Sequence, residues 1–150
     1  MSARSLAAAL ALAALALAAC SRPRLETPKG FAALEGGRVY RAVSPEGVRL
    51  QVRSVRNEPR QEIAFWAEAL RTHLASQGYR PAGEPQRFRA GKRDGRLFEW
   101  SMPYGTETWT YVTGVMVAGR RIVVVEAAGE RELFKKHRDA VLAGLSSLSP

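Results

Sequence analysis

Hydrophobic and polar positions follow three different rhythms along this chain. Residues 6–19, LAAALALAALALAA, have no polar position at all. Further on, Val48, Leu50 and Val52 alternate with Arg49, Gln51 and Arg53. A period of two describes a strand with one apolar face and one polar face. The turn Ser44-Pro45-Glu46-Gly47 places proline second and glycine fourth, which suits a type I turn, so strands are expected at 38–44 and 47–53. From Asn57-Glu58-Pro59 the period lengthens, with Ile63, Trp66, Leu70 and Leu74 recurring at helical spacing. The acidic residue and proline open this helix, and Gly78 closes it in the left-handed cap position with Tyr79 packing back onto Leu74. Trp66 belongs to the core stripe, and His73 borders it as a packing residue.

Four more strands are expected at 84–90, 96–102, 108–117 and 121–128. The first pair flanks a hairpin loop, Gly91-Lys92-Arg93-Asp94-Gly95. Met102-Pro103-Tyr104-Gly105 breaks the second of them, and Ala118-Gly119-Arg120 turns the chain into the last. The run from Ile122 to Val125 lacks polar alternation, so both of its faces should be covered. A closing helix from about 130 to 145 carries Phe134, His137, Val141, Leu145 and Leu148 on one stripe. The order β-β-α-β-β-β-β-α predicts an α+β fold, an antiparallel sheet of about six strands with two helices packed on it. This element order, ending in an amphipathic helix after a very apolar strand, resembles the PsbP/DcrB-like fold. The resemblance implies a non-enzymatic accessory or binding domain.

The N-terminal run has its own logic. One positive charge, Arg4, precedes it. Fourteen helical residues span about 21 Å, and a bilayer core needs about 30 Å. The segment is therefore an export signal and not a permanent span. It ends in Leu17-Ala18-Ala19-Cys20. These four residues resemble the lipobox of bacterial lipoproteins. The resemblance implies cleavage between Ala19 and Cys20, a diacylglyceryl thioether on the Cys20 sulfur, and acylation of its freed amine. Two or three acyl chains hold a protein firmly where one holds marginally. Ser21 stands where an aspartate would imply retention at the inner membrane, so the resemblance implies the outer membrane, facing the periplasm. Residues 1–19 are then the signal peptide, 20–37 a lipidated N-terminus and flexible tether, and 38–150 a single domain.

Composition adds little to that address and narrows the chemistry. Cys20 is the single cysteine, and the two histidines are far apart, so neither a disulfide nor a metal-ligand spacing exists, and no cofactor is implied. No G-x-S-x-G, P-loop, G-x-G-x-x-G or H-E-x-x-H occurs. The acidic residues Glu58, Glu62, Glu130 and Glu132 sit near helix starts, where the helix dipole accounts for them. The reading is a binding domain and not an enzyme; the lesser alternative is a hydrolase whose site is assembled from residues distant in sequence, which would require a polar pocket with a perturbed acid or base.

Net charge is +9, with 19 arginines against 4 lysines spread along the chain. Two candidate contact surfaces emerge. One is aromatic, Tyr104 and Trp109 around the break after Met102, suited to an envelope protein partner. The other is the basic hairpin of Arg87, Arg89, Lys92, Arg93 and Arg96, suited to an anionic glycolipid or polymer. Sequence-specific nucleic-acid binding is disfavoured outside the cytoplasm. Replacement of Cys20 by alanine is expected to abolish metabolic fatty-acid labelling and to accumulate the unprocessed precursor; a labelled, normally partitioning mutant contradicts the lipobox reading.

Overall fold

The computed structural model describes residues 22–150, so the lipobox residues Leu17, Ala18, Ala19 and Cys20 lie outside the described residues. The elements run β1 (Ala32–Leu34), β2 (Tyr40–Val43), β3 (Arg49–Arg56), α1 (Ile63–Ser76), β4 (Arg80–Pro81), β5 (Gln86–Ala90), β6 (Arg93–Tyr104), β7 (Glu107–Ala118), β8 (Arg121–Glu130) and α2 (Arg131–Gly144), followed by a 3-10 turn, Leu145–Ser147. The class is α+β as expected, but the sheet has eight strands and not about six. The two additional strands, β1 and β4, hold three and two residues, too few for any alternation to show in sequence. β4 even contains a proline, which an edge position tolerates because no ladder donor is needed there.

All pairings are antiparallel, in the order β1-β2-β3-β8-β7-β6-β4, with β5 also on β6. After β3 the chain leaves the sheet through α1 and re-enters at the far edge with β4. The β5-β6-β7-β8 meander then walks back until β8 docks beside β3. Three of these connections are two-residue hairpins that begin with Gly91, Gly105 and Gly119, at φ of 58°, 61° and 61°. Positive φ at the first central residue is the type II′ requirement, and glycine meets it without strain. The expected loop at 91–95 therefore shrinks to Gly91-Lys92, and β6 runs on through Pro103 to Tyr104.

Each helix covers one face of the sheet. In β8, Ile122 and Val124 point to α1, while Val123, Val125 and Ala127 point to α2, and all five are buried. The unbroken apolar run is thus explained by cover on both sides. Under α1 lie Phe98, Trp100 and Val115, with the Trp100 indole donating to Thr113 Oγ1 at 3.0 Å. Under α2 lie Leu50, Val112 and Met116, gripped by Phe134, Val141 and Leu145.

The helix ends are built differently. Gly78, at φ 89°, closes α1 as expected: its N–H donates to the Ala75 carbonyl at 3.1 Å, and the Tyr79 N–H to the Leu74 carbonyl at 3.2 Å, a Schellman cap. The start of α1 falls at Ile63, later than the expected Asn57-Glu58-Pro59. Asn57 instead ties the incoming strand to the helix. Its side chain accepts from the Gln61 N–H and the Trp66 indole, and donates to the Gln61 and Gly119 carbonyls, at 2.7 to 3.1 Å. His73 is exposed on α1 and does not pack, because Leu74 takes the buried position beside it. At α2, the Glu130 carboxylate accepts from the Glu132 and Leu133 N–H groups.

The segment expected to be a flexible tether is docked from residue 22 onward. Arg24 and Ser149 exchange two backbone hydrogen bonds, at 2.9 and 3.0 Å. Leu25 is buried in the core, and the Tyr40 hydroxyl donates to Thr27 Oγ1. Phe31 meets His137 edge-on at 5.3 Å, and His137 in turn bonds Glu46 at 2.7 Å. The domain therefore begins before residue 38, because the tail of the chain, down to Leu148, offers the head a strand partner and an apolar seat.

Candidate functional site: the open face of the sheet

α1 packs over β6, β7 and β8, and on its side of the sheet β1, β2 and β3 stay uncovered. Alternation in β2 and β3 sends Ala42, Leu50 and Val52 to the α2 face, so Arg41, Val43, Arg49, Gln51 and Arg53 are left on the open one. Register assembles them into rows. Arg41, Gln51 and Glu126 lie side by side across β2, β3 and β8, and Val43, Arg49, Ala128 and Tyr111 form the next row. Together with Leu34 of β1 they line a concave groove of about 590 Å³.

Glu126 is the one carboxylate lining that groove. It accepts from Gln51 Nε2 at 2.7 Å, Arg53 Nε at 3.1 Å and the Tyr111 hydroxyl at 2.5 Å. Burial pushes its pKa up, but the Tyr111 hydrogen bond, the Arg53 charge and the Gln51 bond outweigh burial and hold it below the ordinary carboxylate range. Tyr111 is driven upward by burial and by the hydrogen bond it donates to Glu126. The pair is thus fixed as carboxylate and neutral phenol. General acid–base chemistry near neutral pH needs groups poised to exchange protons, and these two are shifted in the opposite sense. Arg41 and Arg49 flank the cluster as exposed cations, diagonal to one another across β2 and β3, with no carboxylate partner among the described residues. The groove is therefore a cationic, partly apolar surface.

The residues singled out from sequence occupy other places. Tyr104 and Trp109 do come together, ring to ring at 5.7 Å, at the β6–β7 turn, where Tyr104 is 70 % exposed and the Trp109 indole donates to Glu107. Arg87 and Arg96 are direct cross-strand partners in the β5–β6 hairpin, and Arg89 faces Asp94, which offsets its charge. Arg93 pairs with Ala90 and points to the opposite side of the sheet from Arg87, Arg89 and Arg96, and Lys92 sits in the turn. The aromatic pair and the basic hairpin lie at opposite ends of β6, roughly 35 Å apart at strand rise, and form no common site. The groove residues were missed. Their one legible signal was Glu126, a carboxylate interrupting the most apolar strand, in a chain whose β3 presents Gln51 and Arg53 on its polar side.

Among the described residues no group of His, Cys, Asp and Glu is placed to hold a metal ion, and no helix is long and apolar enough to cross a membrane. The fold is an α+β one of PsbP-like kind, with one half-open sheet face. The fold matches LpqN of Mycobacterium tuberculosis, a protein involved in cell envelope biogenesis, with a TM-score of 0.63 at 12% identity over 85% of this chain and 83% of that one. It matches the cyanobacterial PsbP of Synechocystis sp. PCC 6803 at TM-score 0.55 and 9% identity, over 85% of this chain and 92% of that one. A Pseudomonas aeruginosa protein of unknown function, PA94, gives TM-score 0.62 at 8% identity over 87% and 85% of the two chains. At these identities the likeness is one of fold. No protein-family model and no curated protein sequence matches the chain.

Because the folded pKa of Glu126 lies below its ordinary value, its contribution to stability is complete above about pH 4.5 and fades as pH falls through the lowered value. Glu126→Gln is expected to cost about 1.5–3 kcal/mol at pH 7 in chemical denaturation. The gap to wild type should narrow in acid, and a pH-independent gap would count against the charged network.

Proposed function

We propose that the protein is a lipid-anchored envelope lipoprotein, held by Cys20 and facing the periplasm from the outer membrane, whose domain is a non-enzymatic accessory module that engages a protein partner through the open groove. The observation that carries this reading is the groove itself. A sheet face that exposes Val43 and Ala128 between arginines unpaired among the described residues has apolar area to bury and positive charge to match. Tyr111, half-buried at its wall, supplies the kind of aromatic anchor that interfaces favour. The locked ionisation of Glu126 and Tyr111 supports recognition over catalysis. The fold shared with LpqN, described as acting in envelope biogenesis, supports the same setting.

The aromatic pair Tyr104–Trp109 remains a second contact point for the same partner. The basic hairpin is the weaker candidate for an anionic polymer, since Asp94 sits among its arginines and Arg93 faces away from them.

A photo-crosslinking amino acid placed at Val43 or Ala128 in living cells tests the groove, with position 77 beyond the end of α1 as reference. The expected result is a discrete protein adduct from both groove positions, lost when Arg49→Glu is added, and none from position 77. Equal adducts from all three positions, or adducts indifferent to Arg49→Glu, contradict the reading.

A further inference from the structure

The place where the chain emerges from the fold fixes which side of the domain meets the membrane. Arg22 is already seated, its guanidinium donating to the Val39 carbonyl at 2.9 Å. Arg24 is held in a backbone bridge to Ser149, and Leu25 is buried. Covalent geometry allows at most about 8 Å between the Cα atoms of residues 20 and 22. A lipid on Cys20 therefore cannot stand far from the β1–β2 edge, and the leash is two residues long, where a flexible tether of 20–37 would have been eighteen.

That edge has the composition of a membrane-contact surface. Leu34 is 48 % exposed, and it stands on the rim of two cavities. On one side are Arg22 and Arg24, and on the other Arg41 and Arg49. Arg38, exposed, sits in the turn that joins β1 to β2. Glu35 is the one acidic residue lining the cavity on the Arg22 side. An exposed leucine ringed by arginines fits a layer of anionic headgroups over an apolar interior, with each basic residue near such a surface adding attraction that falls off within a Debye length.

We propose that the β1–β2 edge, with Leu34 at its centre and Arg22, Arg24 and Arg38 around it, rests on the anionic surface of the leaflet that holds the Cys20 lipid. The inference rests on the lipoprotein reading for the position of the lipid. It has a consequence of its own: the domain lies on the membrane in one orientation, with the β4 edge of the sheet turned away and the groove opening beside the leaflet.

The test uses the full chain purified from bacterial membranes, with a genetically encoded fluorescent amino acid at position 34 or, as reference, at position 77 before the β4 edge. Vesicles are of phosphatidylcholine alone or mixed with phosphatidylglycerol, and carry a lipid-borne quencher. Intact mass first reports whether the chain is lipidated. For a lipidated chain, the expected result is quenching at position 34 several-fold above that at position 77. The difference should be larger with phosphatidylglycerol and should collapse in the Arg24→Glu, Arg38→Glu double variant, whose thermal unfolding is checked against the parent. Equal quenching at both positions, or quenching indifferent to phosphatidylglycerol and to the double variant, overturns the orientation. A lipid-free mass refutes the anchor and leaves the edge testable. Binding of that chain to phosphatidylglycerol vesicles at low salt, quenched at position 34 and weakened about fivefold per arginine charge removed, sustains the edge; absence of binding overturns it.

Discussion

The structure depends on a mismatch between what the sheet needs covered and what the helices can cover. β7 and β8 are apolar on both faces and must be buried on both, which requires one helix on each side. A packed helix is about 10 Å wide, and neighbouring strands are about 4.8 Å apart, so one helix shields two or three strands. With β8 beside β3, the α1 face is sealed over β6, β7 and β8 and is open over β1, β2 and β3. The groove is what remains when a wide sheet receives one short helix on that side.

The exposed half is stabilised by polar chemistry in place of a helix. Gln51, Arg53 and Tyr111 converge on Glu126 where the covered and uncovered regions meet, so the carboxylate is desolvated but fully bonded. Arg53 is neutralised in that network, while Arg41 and Arg49 have no carboxylate partner among the described residues. On the other face no such device is needed, because the N-terminal segment and the chain's tail complete the cover around α2. The same docking brings the start of the described chain to the β1–β2 edge, beside the rim of the groove at Leu34.

Much of this was legible in the chain. The alternation of Val48, Leu50 and Val52 named the strand and its buried face, and the Gly78-Tyr79 cap and the stripe from Phe134 to Leu148 fixed both helices. β1 and β4 were illegible because two or three residues carry no period. The docking of residues 22–28 onto the chain's tail was hidden for a different reason: its partners there, Ser147, Ser149 and Gly144, are more than a hundred residues away. The candidate site failed on the same ground. Arg41, Arg49 and Glu126 are unremarkable one by one, and only strand register makes them neighbours. The aromatic pair was visible because Tyr104 and Trp109 are close in sequence.

The claim that the open face is the working surface can be tested most directly by arginine-selective chemical footprinting of the native protein. Reactivity toward a glyoxal reagent is compared, residue by residue, between intact cell envelopes and the detergent-purified protein. The account predicts that Arg41 and Arg49 are strongly protected in the envelope and become reactive on purification, while Arg87 and Arg89 react equally in both. Protection of Arg87 and Arg89 with Arg41 and Arg49 freely reactive in the envelope would contradict it.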